Sequence, residues 1–179
     1  MSISDKVKAA IRDVADFPKP GILFKDITPI LENPELCNEI TTALAKEYEN
    51  NRPDAIVGVE SRGFLFGMLL AKHFHIPFIP VRKAGKLPYE TISYSYTLEY
   101  GSATVEMHVN SVKPGWNVMV HDDLLATGGT AAAAAELIIQ QGAKVSGFTF
   151  VVELGFLGGR EALSKYNSRI DSLVSYEGD

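Results

Sequence analysis

The stretch from residue 118 to residue 130 constrains the fold of this chain more than any other part of it. Its sequence is V-M-V-H-D-D-L-L-A-T-G-G-T. Residues 116–120 form an apolar, partly β-branched run that is short enough to be a buried strand, and this predicted strand ends in Asp122 and Asp123. A loop of small residues and the alanine-rich run 131–135 follow, which predicts a helix. A strand, an acidic turn, a loop and a helix in this order are typical of ligand-binding α/β proteins.

The loop of this stretch has the composition of an anion site. Gly128 and Gly129 lie beside small hydroxyl residues, so consecutive backbone N–H groups can converge on an anion. The helix that follows directs its positive end at the same point, which suits a phosphate. Asp122 and Asp123 would repel that phosphate and instead suit hydroxyl groups, a Mg²⁺ ion or both. The pattern predicts a phosphorylated sugar as ligand, and the absence of Gly-Lys-Ser/Thr after the glycines excludes a P-loop.

Size and charge narrow the function classes further. With 179 residues the chain can bury a sizeable core, and we expect a single domain over residues 1–179. The net charge of −5 gives no indication of a nucleic-acid surface. A single cysteine, Cys37, excludes an internal disulfide and is typical of a reducing compartment. Residues 1–8 lack the apolar core of a signal peptide and no apolar run is long enough to span a membrane, so we expect a cytoplasmic protein.

Alternating periodicities along the chain predict an α/β fold. Ile3, Val7, Ile11 and Val14 recur at near-helical spacing, which predicts an amphipathic N-terminal helix. The other predicted helices cover residues 33–48, 64–73, 130–142 and 160–166, and the predicted buried strands cover residues 55–59, 76–81, 116–120, 145–152 and the surroundings of 173–174. Strands that alternate with helices imply a doubly wound, mainly parallel sheet.

Two segments outside this alternation are candidates for lids. Residues 16–29 are broken by prolines and expected to be extended, so they either pack on the core as a loop or form a lid whose backbone reads a flat ligand. Residues 93–109 change to a period of two, with Tyr94, Tyr96, Leu98 and Tyr100 on one face. This pattern predicts a β-hairpin flap that projects from the main sheet.

Polar segments follow four of the predicted strands, at residues 60–62, 82–86, 122–130 and 153–156. Because the carboxyl ends of parallel strands meet at one edge, we expect these segments to converge there. Arg62 is either a surface arginine or an anion contact. The cations at residues 82, 83 and 86 form either a solvated turn or a group that neutralises a pyrophosphate.

The sequence D-D-L-L-A-T-G-G-T resembles the phosphoribosyl-pyrophosphate (PRPP) motif of type I phosphoribosyltransferases. The blocks F-P-K-P-G-I-L-F-K-D-I-T-P, V-E-S-R-G-F-L-F-G, V-R-K-A-G-K-L-P, L-E-Y-G and V-E-L-G-F-L-G-G-R are similar to the adenine phosphoribosyltransferase family over nearly the whole chain. The resemblance implies the type I phosphoribosyltransferase fold, a homodimer and the purine-salvage reaction of adenine with PRPP to give AMP and pyrophosphate. It implies small-molecule substrates, with Mg²⁺ as cofactor and no nucleic-acid or membrane partner.

The resemblance also implies roles for individual residues. Glu99 is the expected general acid/base, with Tyr100 beside it as the second catalytic residue. The expected PRPP- and AMP-binding residues are Ser61, Arg62, Arg82, Lys83, Lys86, Asp122, Asp123, Ala126, Thr127, Gly128, Gly129 and Thr130. The expected adenine-binding residues are Leu23, Phe24, Lys25 and Leu154, with Phe24 stacking on the ring and the backbone of Leu23 and Lys25 reading its edge. Mg²⁺ is expected to arrive with PRPP, with Asp122 and Asp123 as candidate ligands and no other direct ligand assigned. The family's cis bond before the serine of S-R-G implies a cis Glu60–Ser61 bond here.

Some residues depart from the family pattern or compete with the assigned roles. His121 stands where relatives usually have an aliphatic residue, and strand alternation predicts that it points away from Asp122 into the interior. Glu106 is a competing acid in the flap, although the L-E-Y-G match favours Glu99. Structural roles are expected for Cys37, His73, His75 and His108.

Three other functions compete with this interpretation. A 6-oxopurine phosphoribosyltransferase would normally offer a cation to the oxygen of the base, which Glu153 and Leu154 do not supply. A non-catalytic PRPP-binding regulator would be expected to carry a nucleic-acid surface or a further domain. A Rossmann dehydrogenase would require a G-x-G-x-x-G sequence, which is absent from the chain.

Overall fold

The structure, a computed structural model, describes residues 1–98 and 100–178, so Glu99 and Asp179 lie outside the described residues. Its strands are β1 (Arg12–Ala15), β2 (Leu23–Asp26), β3 (Ala55–Val59), β4 (Phe78–Lys83), β5 (Thr91–Thr97), β6 (Ser102–His108), β7 (Asn117–Leu125), β8 (Lys144–Leu154) and β9 (Ile170–Tyr176). Its α-helices are α1 (Ile3–Ala10), α2 (Pro34–Lys46), α3 (Gly63–Phe74), α4 (Gly129–Gln140) and α5 (Gly159–Ser164), and short 3₁₀ helices cover Thr28–Glu32 and Gly155–Leu157.

The main sheet has the strand order β5-β6-β4-β3-β7-β8-β9. Strands β4, β3, β7, β8 and β9 are parallel, whereas β6 is antiparallel to β4 and β5 is antiparallel to β6. This topology confirms the predicted doubly wound, mainly parallel sheet. The carboxyl ends of β4, β3, β7 and β8 therefore lie next to one another at one edge, as the sequence predicted.

The sheet separates two apolar clusters. Val57 and Val120 belong to the cluster that α4 covers, whereas Ile56 and Met119 belong to the cluster that α2 and α3 cover. Neighbouring strand residues lie on opposite faces because side chains alternate along a strand. Every residue of β3 is buried, which explains its continuous apolar run. Among the described residues, no helix combines the length and the apolar character that crossing a bilayer requires.

The predicted flap is an antiparallel hairpin of β5 and β6, and its pairing runs from Thr91–His108 to Thr97–Ser102. The base of the hairpin is part of the main sheet, because Arg82 and Lys83 of β4 pair with β6. The flap therefore extends the sheet at its edge.

The prediction of one N-terminal helix through Val14 is wrong beyond Ala10. Ile11 has extended backbone angles, φ −67° and ψ 134°, and ends α1. Residues 12–15 then pair with β2 as a two-stranded antiparallel sheet, with Val14 opposite Phe24. We call residues 12–26 the hood. Pairing with a distant segment overrides the helical spacing here, which local periodicity cannot reveal.

The prediction that the central strand stops before the aspartates is also wrong. Strand β7 continues to Leu125, and Asp122 pairs with Phe150 of β8. The long partner strand β8 supplies ladder hydrogen bonds for this extension, so both aspartates are strand residues.

Leu70→Ala tests the packing of α3 on the sheet. Leu70 is fully buried in the same cluster as Ile56, so we expect the free energy of unfolding to fall by about 2–5 kcal/mol. Met68 on the same helix is 55% exposed and serves as the control, because Met68→Ala should change this value by less than about 1 kcal/mol. Urea denaturation measures both variants, and equal losses would contradict the assigned orientation of α3.

Candidate active site

Residues 126–130, which we call the phosphate loop, connect β7 to the first turn of α4. Gly128 has φ +85° and precedes the first residue of α4. A Cβ at position 128 would also lie 3.0 Å from the carbonyl oxygen of Gly159, so glycine is favoured there both by backbone conformation and by space. The first N–H groups of α4 have no partner within the helix and point into a cavity of about 80 Å³ that the loop lines. This geometry suits a phosphate.

The two aspartates at the end of β7 differ in their surroundings. Asp123 is buried, and its Oδ2 lies 2.7 Å from Arg62 Nε in an ion pair. Burial, together with the neighbouring Asp123 carboxylate, raises the pKa of Asp122 well above its ordinary value. Asp122 Oδ1 also packs so closely on Gly63 that a Cβ there would lie 2.9 Å away. The pair therefore places two carboxyl groups in different surroundings at the edge of the sheet.

Arg62 connects the aspartates to the hood. Its guanidinium carbon lies 5.3 Å from the centroid of the Phe24 ring, while its Nε pairs with Asp123. The Glu60–Ser61 peptide bond just before it is cis, which confirms the bond geometry that the resemblance implied. Arg62 is thus positioned between the predicted ribose and adenine sites.

Residues 82–86, which we call the cation loop, gather around Glu60. The Glu60 carboxylate accepts bonds from Arg82 Nη2 at 3.2 Å, Lys86 Nζ at 3.0 Å and the backbone N–H of Lys83 at 2.9 Å. Burial acts to raise the pKa of Glu60, but the bonds from Arg82, Lys86 and Lys83 N–H outweigh it and lower the pKa to about 2. Glu60 is therefore ionised at neutral pH and offsets the mutual repulsion of the cations.

Glu106, the competing acid in the flap, holds the cation loop from its other side. One carboxylate oxygen accepts the N–H groups of Gly85 at 3.0 Å and Leu87 at 3.2 Å, and the other accepts the Thr91 hydroxyl at 3.3 Å. Glu106 is buried and fully engaged in these bonds. This engagement makes it a structural acid.

The hood presents the Phe24 ring to Arg62, whereas the Lys25 side chain turns away. Lys25 Nζ lies 2.7 Å from Asp13 Oδ1 and 4.3 Å from the centroid of the Tyr176 ring, and the side chain is only 11% exposed. Leu154 pairs with Tyr176 in the β8–β9 ladder. It is therefore next in the sheet to the residue that the Lys25 side chain contacts. The backbone of residues 23–25 is left to contact a ligand.

Two cavities lie between the flap and the phosphate loop. One of about 420 Å³ is lined by Glu60, Arg82 and Lys83, together with Tyr96 and Thr130. The other, of about 520 Å³, is lined by Tyr96, Thr130, Thr127, Leu98 and Tyr100. The structure therefore brings the predicted phosphate loop, the cations and the Tyr100 end of the flap together. Glu99 lies outside the described residues, so its role stays a prediction.

Comparisons with known proteins agree with this geometry. The family model "Phosphoribosyl transferase domain" matches residues 26–175. An adenine phosphoribosyltransferase of Cytophaga hutchinsonii is 47% identical over 174 residues, which are 97% of this chain and 96% of that protein. The crystal structure of adenine phosphoribosyltransferase from Thermoanaerobacter pseudethanolicus superposes with a TM-score of 0.92 at 47% identity, over 97% of this chain and 99% of that one. The Giardia lamblia enzyme complexed with 9-deazaadenine gives a TM-score of 0.92 at 34% identity, over 99% of both chains.

The chain belongs to the adenine phosphoribosyltransferase family. Members of this family are transferases that act on a ribose-phosphate group, and the match confirms the predicted type I phosphoribosyltransferase fold.

Sequence reasoning missed several residues that shape this family's site in the present chain. Gly63 makes room for Asp122, and Gly159 packs on the phosphate loop so tightly that a Cβ there would collide with the Ala126 carbonyl oxygen. Tyr96 was assigned to a strand face, yet its hydroxyl reaches Thr130. The glycines of the G-F-L-G-G-R block were a usable signal for close packing, whereas no sequence signal predicted the contact of Tyr96.

His121 confirms the predicted structural role. It is fully buried, and its Nδ1 lies 2.9 Å from the Thr149 hydroxyl on the neighbouring strand. Burial lowers the pKa of His121 to about 3, with the contact to Thr149 acting weakly in the opposite direction. The folded chain therefore keeps this imidazole neutral.

His121→Val, which restores an aliphatic residue, should reduce the acid sensitivity of the fold. The unfolded chain takes up a proton at His121 near pH 6.5 whereas the folded chain does not until about pH 3, so this contribution to stability is present above pH 6.5 and is lost as the pH falls. We expect wild type to lose about 2 kcal/mol more than the variant between pH 7 and pH 5, measured by urea denaturation. His75→Asn, at an exposed position with φ 56° that asparagine tolerates, is the control and should keep the wild-type pH dependence. Equal pH dependence of wild type and His121→Val would contradict the assignment.

Proposed function

We propose that this chain catalyses the reaction of adenine with PRPP to give AMP and pyrophosphate, a step of purine salvage. The observation that carries the proposal is the placement of the phosphate loop, the paired aspartates and the cation loop at one edge of the sheet, on strands β7, β3 and β4. Its relatives support the base, since a solved yeast adenine phosphoribosyltransferase, 44% identical with a TM-score of 0.88, is complexed with adenine.

The phosphate loop would bind the 5′-phosphate of PRPP. Gly128 and Gly129 allow the backbone to approach the phosphate, and the N-terminus of α4 supplies N–H groups and a positive dipole end. Asp122 and Asp123 would bind the ribose hydroxyls, because carboxyl oxygens accept hydrogen bonds from hydroxyl groups.

The cation loop would bind the pyrophosphate. Displacement of pyrophosphate at C1 builds positive charge on the ribose and negative charge on the leaving group, and preorganised cations stabilise the latter. Arg82 and Lys86 are held in place by Glu60 of the same chain. When pyrophosphate binds, Arg82 and Lys86 would exchange the Glu60 carboxylate for the pyrophosphate as their anionic partner. Few side chains would therefore have to become ordered on binding.

The hood would bind adenine, with Phe24 against the ring and the backbone of residues 23–25 on its edge. The strand end opposite the hood does not favour a 6-oxopurine. Glu153 there is bound by Arg160 Nη2 at 2.6 Å and by the Ser172 hydroxyl at 2.7 Å, and the adjacent Leu154 is apolar. The structure describes all of β8, and its end offers no unpaired cation to a base oxygen. This supports adenine, which carries an amino group in place of that oxygen, as the base.

Mg²⁺ fits this site as a companion of PRPP. Asp123 is already paired with Arg62, and the raised pKa of Asp122 disfavours the carboxylate that a metal requires. Within residues 1–98 and 100–178, no cluster of three or more His, Cys, Asp or Glu side chains could hold a metal. The ion would supply charge neutralisation on the pyrophosphate, and Asp122 and Asp123 are the candidate residues to hold it.

Glu99 would exchange the proton with the purine nitrogen, with Tyr100 beside it at the flap. Tyr100 is 84% exposed, so this end of the flap is open to solvent. A closed flap would exclude the water that otherwise hydrolyses the activated sugar. The homodimer that the resemblance implies is part of this proposal.

Product formation from PRPP and Mg²⁺ with adenine, hypoxanthine and guanine in parallel tests the proposed function. We expect AMP from adenine and a kcat/KM at least about 100-fold lower for both oxopurines, because the end of β8 offers no unpaired cation to their oxygen. Turnover of an oxopurine alone would overturn the assignment of the hood as an adenine site. PRPP binding without turnover of any base would favour the non-catalytic regulator.

Glu99→Gln tests the acid/base role. The substituted amide retains the shape of the side chain but cannot exchange a proton, so kcat should fall about 100-fold or more, while KM for PRPP stays within about threefold. Glu90→Gln changes an exposed glutamate just before β5 and should leave kcat unchanged. Full turnover by Glu99→Gln would remove Glu99 from the mechanism.

A further inference from the structure

Tyr96 bridges the flap and the phosphate loop. Its hydroxyl oxygen lies 3.0 Å from Thr130 Oγ1, and its ring packs on Gly129, where an added Cβ would be 3.4 Å from two ring carbons. Tyr96 lies in β5, in register with Ala103 of β6 and one residue before the last strand pair of the hairpin. The contact therefore joins the end of the flap ladder to the first turn of α4.

The position of Tyr96 relative to the two cavities sets it apart from its neighbours in the flap. Both the cavity beside the cation loop and the cavity beside Tyr100 are lined by Tyr96 and Thr130. The Tyr96–Thr130 contact thus lies between the cavity beside the cation loop and the cavity beside Tyr100. Because Thr130 also lines the cavity of the phosphate loop, its hydroxyl can form a hydrogen bond with an anion bound there.

A bound phosphate would decide which hydroxyl of the Tyr96–Thr130 pair donates the hydrogen bond and which accepts it. Each hydroxyl has one hydrogen to donate and two lone pairs that accept. A phosphate dianion only accepts, so Thr130 would donate its hydrogen to the phosphate and accept the hydrogen of Tyr96. Such a chain of hydrogen bonds polarises its members and strengthens each bond.

We propose that Tyr96 is a positioning residue that orients the Thr130 hydroxyl toward the 5′-phosphate and thereby couples phosphate binding to the position of the flap. This inference rests on the proposed function, because it requires a phosphate in the phosphate loop. Tyr96 acts through Thr130 and contributes to recognition of the phosphate, not of the base. Its removal therefore affects phosphorylated ligands selectively.

Tyr96→Phe removes the hydroxyl and keeps the ring on Gly129. Tyr94 is the matched control, because it lies on the same face of β5 two residues earlier and packs on the core cluster. The measurement is isothermal titration of AMP and of adenosine into wild type, Tyr96→Phe and Tyr94→Phe. We expect Tyr96→Phe to weaken AMP binding about tenfold and to leave adenosine binding within about twofold, while Tyr94→Phe changes neither.

A double-mutant cycle separates the positioning role from a general loss of structure. Thr130→Ala should weaken AMP binding, and adding Tyr96→Phe to it should cause no further loss, since Tyr96 acts through Thr130. Steady-state kinetics should show a raised KM for PRPP in Tyr96→Phe with a smaller change in kcat. Additive losses in the cycle, or equal losses for AMP and adenosine, would overturn the proposal.

The same titrations distinguish failure of this inference from failure of the proposed function. Wild type that binds AMP much more tightly than adenosine, together with a Tyr96→Phe variant that matches it, overturns the role of Tyr96 alone. Wild type that does not discriminate between AMP and adenosine overturns the phosphate loop itself and both proposals with it.

Discussion

The ion pair between Arg62 and Asp123 is the interaction on which the arrangement of the site depends. Two adjacent carboxyl groups at the end of a buried strand repel each other, and each loses its hydration. Arg62 pairs with Asp123 at 2.7 Å, while burial and the neighbouring carboxylate raise the pKa of Asp122. Because β3 and β7 are neighbouring parallel strands, the residue that follows the end of one reaches the end of the other. Loss of Arg62 would leave a buried, unpaired charge, which is far more costly than the loss of a surface pair.

Arg82 and Lys86 of the cation loop are both paired with Glu60. Glu60 holds the loop from the side of β3, and Glu106 holds its backbone from the side of β6. The Glu60 carboxylate balances the charge of the loop cations, and the Glu106 carboxylate accepts hydrogen bonds from backbone N–H groups of Gly85 and Leu87. An acidic protein can in this way keep a local concentration of positive charge ready for an anion without unfolding the loop.

The parts of the fold that depend on local pattern could be predicted from sequence. The β3 and β7 runs, the glycine loop, α4 and the hairpin follow from periodicity and turn residues, and the parallel order places their polar ends at one edge. Residues 12–15 could not be predicted, because their strand exists only by pairing with residues 23–26. The extension of β7 through Asp122 likewise depends on the length of β8. The contact of Tyr96 with Thr130 spans 34 residues and joins two elements whose distance no local pattern encodes.

The orientation of Lys25 has a consequence for inhibition of this enzyme family. Its side chain is committed to Asp13 and Tyr176, so in the proposed adenine site the main chain would face the base at this position. An inhibitor that exploits the same main-chain groups would be difficult to evade by a single substitution, because every residue except proline retains the amide N–H and all retain the carbonyl. Escape would instead require movement of the whole β1–β2 pair, and the anchor on Tyr176 opposes that movement.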